Sequence, residues 1–593
     1  MDNIYAERIE ELRRLMLSKD WDAVVITGSD PHSSEYPAPR WKQVEWLSGF
    51  TGEAGDLVIT LDHAGLWTDT RYFIQAVQQL EGTGVELHKM RVPGQVGIPE
   101  WLGSQFGPDA IVVVDGLCIS AEAAAELPCN VISMPDLLSR LWQDRPQIPK
   151  TPVFTVETGE TRQSKTARLR DFLDETGCDA ILLSSLDEIA WTLDIRASDI
   201  EYNPLCISYL LVGRDKAGWY VDKDGEQDER SCATFSILES EGIRIRPYTD
   251  IAYLAGETAG KLCVDPSTLN FDLYSNLRSL EVELECRESP VARWKAVKNP
   301  FEIEGMRRIH IRDGAAMERF LYWLEKSLES GREVDEAEAA RKLGEIRSGI
   351  RGYMGDSFET ISAYGPGAAL PHYRTPSENA PVLRQEGLYL NDSGGQYLDG
   401  TTDITRTVPL GKCSRLEMED YTLVLKGHID LAMAVFPEGT PGCRLDALAR
   451  EPLWLSKRDF GHGTGHGVGF FLGVHEGPQD IRQNLNGTPL EAGMICSDEP
   501  GIYREGRHGV RHENLLLCIN AGSNEFGRWM EFETLTLCHF DTSAIIPELL
   551  GSAETQWLDA YHERVYRTLS PLLPPEIAAW LREKTRPLSG QSR

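Results

Sequence analysis

Two nine-residue runs, DAVVITGSD at 22–30 and DAILLSSLD at 179–187, stand 157 residues apart in a chain of 593. Each is a short apolar, β-branched strand pattern closed by turn residues. Each also follows an amphipathic helix pattern, the first over MDNIYAERIEELRRLM and the second over residues 165–176. A fixed offset of this length predicts one α/β domain present twice. The polar stretch QDRPQIPKTP, with its three prolines, places a linker between the copies near residue 147.

A second junction falls at Lys298-Asn299-Pro300, where Asn299 can cap a helix, Pro300 can take its first position and Glu302 can close a capping box. Ile303, Met306, His310, Met317, Phe320, Leu321 and Leu324 then recur at helical spacing. Further helices are expected near 334–347, 416–435 and 444–458, interleaved with the strand-like runs GLYLND, YLDGTTDITRTVPL, GMICSD, GVRHENLLLCI and ETLTLCHF. The pattern therefore predicts three domains: α/β at 1–146, α/β at 147–297 and α+β at 298–593.

Charge and cysteine usage narrow the class. The 92 acidic residues exceed the 60 basic ones, a formal charge of −32, which argues against nucleic acid and anionic membrane as partners. No run is long and apolar enough for a membrane span, and the start does not pattern as a signal peptide. Twelve cysteines are scattered without a C-x-x-C pair, as expected of reduced thiols in the cytoplasm.

The chemistry concentrates in the third block. Seven of the thirteen histidines lie between 372 and 512, where even spreading would give about three. The same stretch holds Asp392 in LNDSGG, Asp403 in GTTDIT, Glu499 in SDEPG and Glu513 in RHENLLL. A turn at Ser393, Gly394 and Gly395 can bring Asp392 and Asp403 to one place. Carboxylates drawn together repel by about 4 kcal/mol per pair at about 4 Å and an effective dielectric of about 20, so a cationic partner is required. Two divalent ions would balance four carboxylates, and oxygen-rich ligation with one imidazole suits Mn or Co better than a structural zinc site. The imidazole is expected from FGHGTGHGVG at 460–469, whose glycines permit close backbone approach and oppose a helix. Singly, each of these motifs is an ordinary turn, loop or buried histidine; their concurrence favours a site. His428 and His508 are expected to be structural or superficial, and the acidic run 417–420 a solvated helix start.

The ordered motifs LNDSGGQYLDGTTDITRT, HGTGHGVGFFLGVHEGP, EAGMICSDEPGIY and GVRHENL resemble the catalytic domain of the pita-bread metallopeptidases. The resemblance is to the long, three-domain Xaa-Pro aminopeptidases (aminopeptidase P). It extends to SSEYPAPRWKQVEWLSGFTGEAG and LWTDTRYFIQA in a first creatinase-like domain, and to LDEIAWTLDIRASDIEYNP in a second. It implies Asp392, Asp403, His466, Glu499 and Glu513 as ligands of two divalent metal ions, Mn2+ first, with Co2+ or Zn2+ as substitutes. It further implies catalytic roles for Glu499, His462, His475 and His372, and places Tyr503 and Arg511 beside the substrate's proline. Asn391 and His512 depart from the aliphatic residues more usual there, which touches local packing rather than the ligand set.

The activity so implied is hydrolysis of the N-terminal Xaa-Pro bond of peptides by a metal-bridging hydroxide, with Glu499 carrying the proton and Asp392 near the α-amine. The alternatives are a prolidase restricted to Xaa-Pro dipeptides, or a catalytically silent binding protein on the same fold. The resemblance also implies a homodimer formed through the catalytic domain, to which Trp454 could contribute.

Overall fold

The computed structural model of the chain describes residues 3–222, 229–256 and 260–588. Two compact units emerge, Met1–Val291 and Ala292–Arg593.

In the first unit the cores of the two matched runs become Ala23–Ile26 and Ala180–Leu183, again 157 residues apart and each an inner strand of a six-stranded sheet. Ala23–Ile26 pairs antiparallel with Asp56–Thr60 and parallel with Ile111–Val114. Ala180–Leu183 pairs antiparallel with Ser208–Gly213 and parallel with Lys261–Val264. The outer pairings correspond as well, so the duplication expected from the sequence extends to the whole topology. Both inner strands are buried throughout, which is why they read as unbroken apolar runs rather than alternating ones. The helix expected over 165–176 begins earlier, at Arg162, because the Thr161 side chain caps it by accepting from the Ser164 amide. Residues 145–153, within and beside the proline-bearing stretch, carry no helix or strand.

The second unit contains the 30-residue helix Pro300–Glu329, opened by the expected capping box of Asn299 and Glu302. Glu336–Ser348, Arg415–Ala432 and Asp446–Leu455 answer to the three further helices. Two sheets matter for the site. Ile361–Tyr364, Leu388–Ser393 and Ile404–Pro409 form one, and the other runs Val435–Pro437, Gly527–Thr534, Asn514–Asn524, Ile495–Asp498, Gly465–Gly467, Glu476–Ile481.

Three local expectations are corrected. ETLTLCHF is strand only to Thr534; beyond it, the Thr536 and Cys538 carbonyls accept from the Tyr561 hydroxyl and those of Cys538 and His539 from Arg406, so side chains replace the ladder. GVRHENLLLCI breaks at His512 and Glu513, because Arg511 still bonds Thr407 while Asn514 begins a strand of the other sheet. The acidic run is only partly a solvated helix start. Glu417 closes a capping box with Ser414, but Asp420 is buried among Arg504, Arg458 and His508.

His428 is structural: buried, it contacts the Asp498 carbonyl at 3.0 Å and the Asn514 amide at 3.0 Å. None of the twelve cysteines, all among the described residues, is in a disulfide. No helix among the described residues is long and apolar enough to cross a membrane.

Glu336 supplies a pH test of this unit. Its buried carboxylate accepts from the Tyr364 amide at 2.6 Å and the Tyr373 hydroxyl at 2.8 Å, yet burial pushes its pKa from 4.5 up to about 7. The folded state holds this proton more tightly than the unfolded one. The stabilisation is therefore full below pH 4.5 and is lost as pH rises through about 7. The difference in melting temperature between Glu336→Gln and the parent is expected to shift in favour of the glutamine across that window; a pH-independent difference would contradict it.

Candidate metal centre

The fold brings the five implied metal ligands together. Asp392 lies near the end of Leu388–Ser393, opposite Thr405, and Asp403 immediately precedes Ile404–Pro409. From the other sheet come His466 in Gly465–Gly467, Glu499 just beyond Ile495–Asp498, and Glu513 just before Asn514–Asn524. Donor atoms of Asp392, Asp403 and Glu513 lie within 4.8 Å of one another, as do those of His466, Glu499 and Glu513. Glu513 is common to both sets. A third set joins Asp403 and His466 to His475, whose ring stands 4.3 Å from that of His466 at 84°.

Local backbone demands explain the glycines. A Cβ at Gly465 would sit 1.9 Å from the Ser497 carbonyl oxygen, so only glycine lets the histidine-bearing strand lie against the strand leading to Glu499. The expectation that this stretch is not helical is met.

Proton positions follow from the partners. His466 Nδ1 faces the Gly467 carbonyl at 3.0 Å and must donate to it, which in the neutral ring leaves a lone pair on Nε2. That Nε2 faces Glu499 Oε1 at 3.3 Å and Asp403 Oδ2 at 3.6 Å. Asp392 Oδ1 is buried with no hydrogen-bond partner among the described residues. Burial, then the neighbouring carboxylates, push Asp403 and Glu513 well above the usual carboxylate range. Burial also opposes ionisation of Glu499, but His466, His462 and Arg511 outweigh it and hold that group below its ordinary value. An orphaned acceptor and mutually repelling carboxylates fit divalent cations, and four carboxylates with one imidazole make a hard, oxygen-rich donor set.

A second chain of contacts ties the remaining predicted residues to this cluster. Burial lowers His462 to about 4, so its ring is neutral at pH 7. Its Nδ1 donates to the Gly463 carbonyl at 2.7 Å, and its Nε2 accepts from the Tyr503 hydroxyl at 2.7 Å. Arg511 donates to the Tyr503 hydroxyl at 2.7 Å, to Asp392 Oδ2 at 2.5 Å and to the Pro371 carbonyl at 3.3 Å. Burial pushes the Tyr503 hydroxyl up to about 12, so it stays protonated. His372 follows Pro371 in the chain and belongs to none of the donor sets. His512 is packing: its ring lies edge-on to Tyr421 at 4.4 Å, and burial holds it well below its ordinary pKa.

Sequence reasoning missed Thr405, Arg406 and Ser497. Thr405 donates to Glu513 Oε2 at 2.7 Å and accepts from Arg511 Nε at 3.2 Å. Ser497 donates to Glu499 Oε1 at 3.2 Å and accepts from the His466 amide at 3.0 Å. Both stand two residues from an acidic member of the cluster along a strand, a spacing that returns a side chain to the same face and was there to be read.

Carboxylates converging on an imidazole at the junction of two sheets define the centre of a metal-dependent hydrolase. The chain matches metallopeptidase family M24 over residues 304–520 and the C-terminal region of that peptidase over 528–588. It matches creatinase/prolidase N-terminal domains over 8–131 and 144–302. A probable Xaa-Pro aminopeptidase P of Laccaria bicolor is 38% identical, with 98% of this chain and 93% of that protein covered. Aminopeptidase P2 of Arabidopsis thaliana is also 38% identical, over 98% and 88%. The X-prolyl aminopeptidase of Caenorhabditis elegans, a cytosolic enzyme with a di-nuclear active site, superposes with a TM-score of 0.94 at 35% identity over 98% of this chain and 100% of that one. The chain therefore belongs to the aminopeptidase P family of M24 metallopeptidases, with two creatinase-like α/β domains ahead of a pita-bread α+β catalytic domain.

Proposed function

We propose that the protein is an Xaa-Pro aminopeptidase that hydrolyses the N-terminal peptide bond of peptides bearing proline at the second position. The observation that carries this reading is the match over nearly the entire length of aminopeptidase P relatives, the N-terminal unit included. The Xaa-Pro dipeptidase of Bacillus anthracis, by contrast, covers 63% of the chain with a TM-score of 0.50 at 26% identity. The functional blocks are taken as 1–146, 147–297 and 298–593.

Asp392, Asp403, His466, Glu499 and Glu513 would hold two divalent ions, Mn2+ by donor chemistry, with Co2+ or Zn2+ as substitutes. Bound there, they would supply Lewis-acid chemistry, making a water acidic enough to ionise near neutral pH and polarising the scissile carbonyl. Glu499 would take a proton from that water and return it to the leaving imino nitrogen, one acid/base group serving both steps. Asp392, with Oδ2 engaged by Arg511 and Oδ1 unpartnered among the described residues, is placed to receive the substrate's α-amine. His475, whose ring stands beside that of His466, would offer a donor to the carbonyl oxygen as charge develops, an interaction worth about 3 kcal/mol. His372 is assigned, by the family resemblance, as a further histidine of the site.

Proline deprives the scissile amide of its N–H, so recognition must come from shape rather than a strand-like hydrogen bond. Tyr503 supplies a flat wall, and His462 and Arg511 fix its orientation from either side. Tyr503→Phe keeps the wall but removes the link. It is expected to lower kcat/KM for Xaa-Pro-Yaa peptides roughly 10- to 100-fold, the usual effect of losing a supporting hydrogen bond at a metal site. An unchanged value would remove Tyr503 from the positioning network.

The quaternary proposal is a homodimer contacting through the catalytic unit, supported by Trp454 at 44% and Leu455 at 80% exposure on one helix end. The cytosol is the compartment proposed, as for the worm enzyme. The deciding experiment supplies Mn2+ to chelator-stripped protein and offers Xaa-Pro dipeptides, Xaa-Pro-Yaa tripeptides and Xaa-Ala-Yaa controls. Release of the first residue from the Xaa-Pro-Yaa tripeptides and not the controls is expected. Cleavage of dipeptides alone would make it a prolidase, and no metal-dependent turnover would make it a binding protein.

A further inference from the structure

We propose that His63, His88 and Glu86 in the N-terminal unit form a binding site for one transition-metal dication of the zinc type, independent of the carboxylate cluster. One donor atom of each lies within 4.8 Å of the other two. The two imidazole Nε2 atoms are 3.2 Å apart. Two nitrogens on one tetrahedral zinc at about 2.0–2.1 Å are separated by about 3.3 Å, so the rings already stand at chelating distance. Glu86 brings Oε2 to 3.9 Å from His63 Nδ1, and its side chain is 70% exposed, leaving it free to swing onto a bound ion.

The rings are held in place by the fold. Glu86 and His88 lie two residues apart on the edge strand Glu86–Lys89 and so share a face. His63 closes the turn between Asp56–Thr60 and Ala64–Thr68, its amide bonded to Thr60 Oγ1 at 2.9 Å and its carbonyl to the Thr60 amide at 2.8 Å. The His88 ring stacks on the buried Trp67 at 3.9 Å and 6°, and Trp101 lies 4.8 Å from the His63 ring. The two imidazoles are nearly perpendicular, at 78°, with their edges meeting. Gly65 keeps the space between them open, since a Cβ there would fall 2.7 Å from His63 Nε2 and 2.8 Å from the His88 ring. Two nitrogens and one carboxylate, with solvent for a fourth ligand, select zinc, copper or nickel over magnesium or calcium. A bound ion would clamp the edge strand to the turn.

The competing arrangement is a metal-free hydrogen bond from one imidazole to the other. The test loads the full-length protein with Mn2+, equilibrates it with micromolar Zn2+ and measures both metals per chain by plasma emission. The parent is expected to gain one zinc without losing manganese. His88→Gln and the exposed Glu86→Gln are each expected to weaken that zinc by at least tenfold. The proposal is overturned if the parent retains no additional zinc. Equal zinc binding by parent and both variants would overturn it too, because the ion would then sit elsewhere, the carboxylate cluster included.

Discussion

Glu513→Gln is expected to strip the protein of bound metal and of hydrolysis together while leaving it folded. Glu513 is the one residue common to the Asp392–Asp403 set and the His466–Glu499 set, so a single substitution touches both prospective ions. The amide has nearly the shape of the carboxylate, and its oxygen can still accept from Thr405 Oγ1, now at 2.7 Å. The backbone stays held by the Glu513 amide on the Thr405 carbonyl at 3.1 Å and by Arg406 on the Glu513 carbonyl at 2.6 Å. What disappears is one negative charge. Loss of a mere supporting hydrogen bond at a metal site costs about 10- to 100-fold in affinity, so loss of a shared ligand should cost at least about 100-fold, in Mn2+ retention and in kcat/KM alike. Burial and the neighbouring carboxylates already favour protons on Asp403 and Glu513, which a cation must displace, so parental affinity should rise with pH. Metal analysis beside peptide turnover decides the matter: two ions per chain and near-parental turnover in Glu513→Gln would refute the proposed centre.

Much of this was legible because strand chemistry is local. The matched runs lie 157 residues apart because Ala23–Ile26 and Ala180–Leu183 hold equivalent inner positions of two like sheets, and burial on both faces writes itself into sequence as unbroken apolar residues. The capping box at Asn299 was readable for the same reason: its donors and acceptors are three residues apart. Asp420 was misread because its partners Arg504 and His508 come from more than eighty residues away, and no local pattern tells a buried carboxylate at a helix start from a solvated one. The end of ETLTLCHF failed similarly, since the groups that take over its carbonyls, Arg406 and Tyr561, are distant in sequence. The four acidic groups were found as motifs and their convergence was inferred from charge, whereas His466 was singled out by the family resemblance; only the fold shows that Glu513 stands between two sets.

Arg406→Ala should strongly destabilise the catalytic unit. The side chain is fully buried on the face of Ile404–Pro409 opposite Thr405. Its guanidinium donates to the carbonyls of Thr405 at 2.9 Å, Glu513 at 2.6 Å, Cys538 at 2.8 Å and His539 at 3.2 Å. It also reaches Asn514 Oδ1 at 2.8 Å and the Tyr561 hydroxyl at 3.1 Å, over the Phe540 ring at 4.0 Å. Alanine strands those acceptors in a dry interior at about 1–3 kcal/mol each, so a loss above about 5 kcal/mol is expected even after partial rescue by water. At roughly 2–4 °C per kcal/mol, the unfolding transition of the catalytic unit should fall by at least about 10 °C in calorimetry. Arg406→Lys should recover little, because one ammonium has three donors on a single atom and cannot span acceptors arrayed around a planar fork. A fall of less than about 2 °C for alanine would mean that water or rearranged backbone satisfies the carbonyls. The two variants separate stability from chemistry: Arg406→Ala lowers the unfolding transition by stranding carbonyls, that of Glu513 among them, whereas Glu513→Gln loses metal at an unchanged unfolding transition of the metal-free protein.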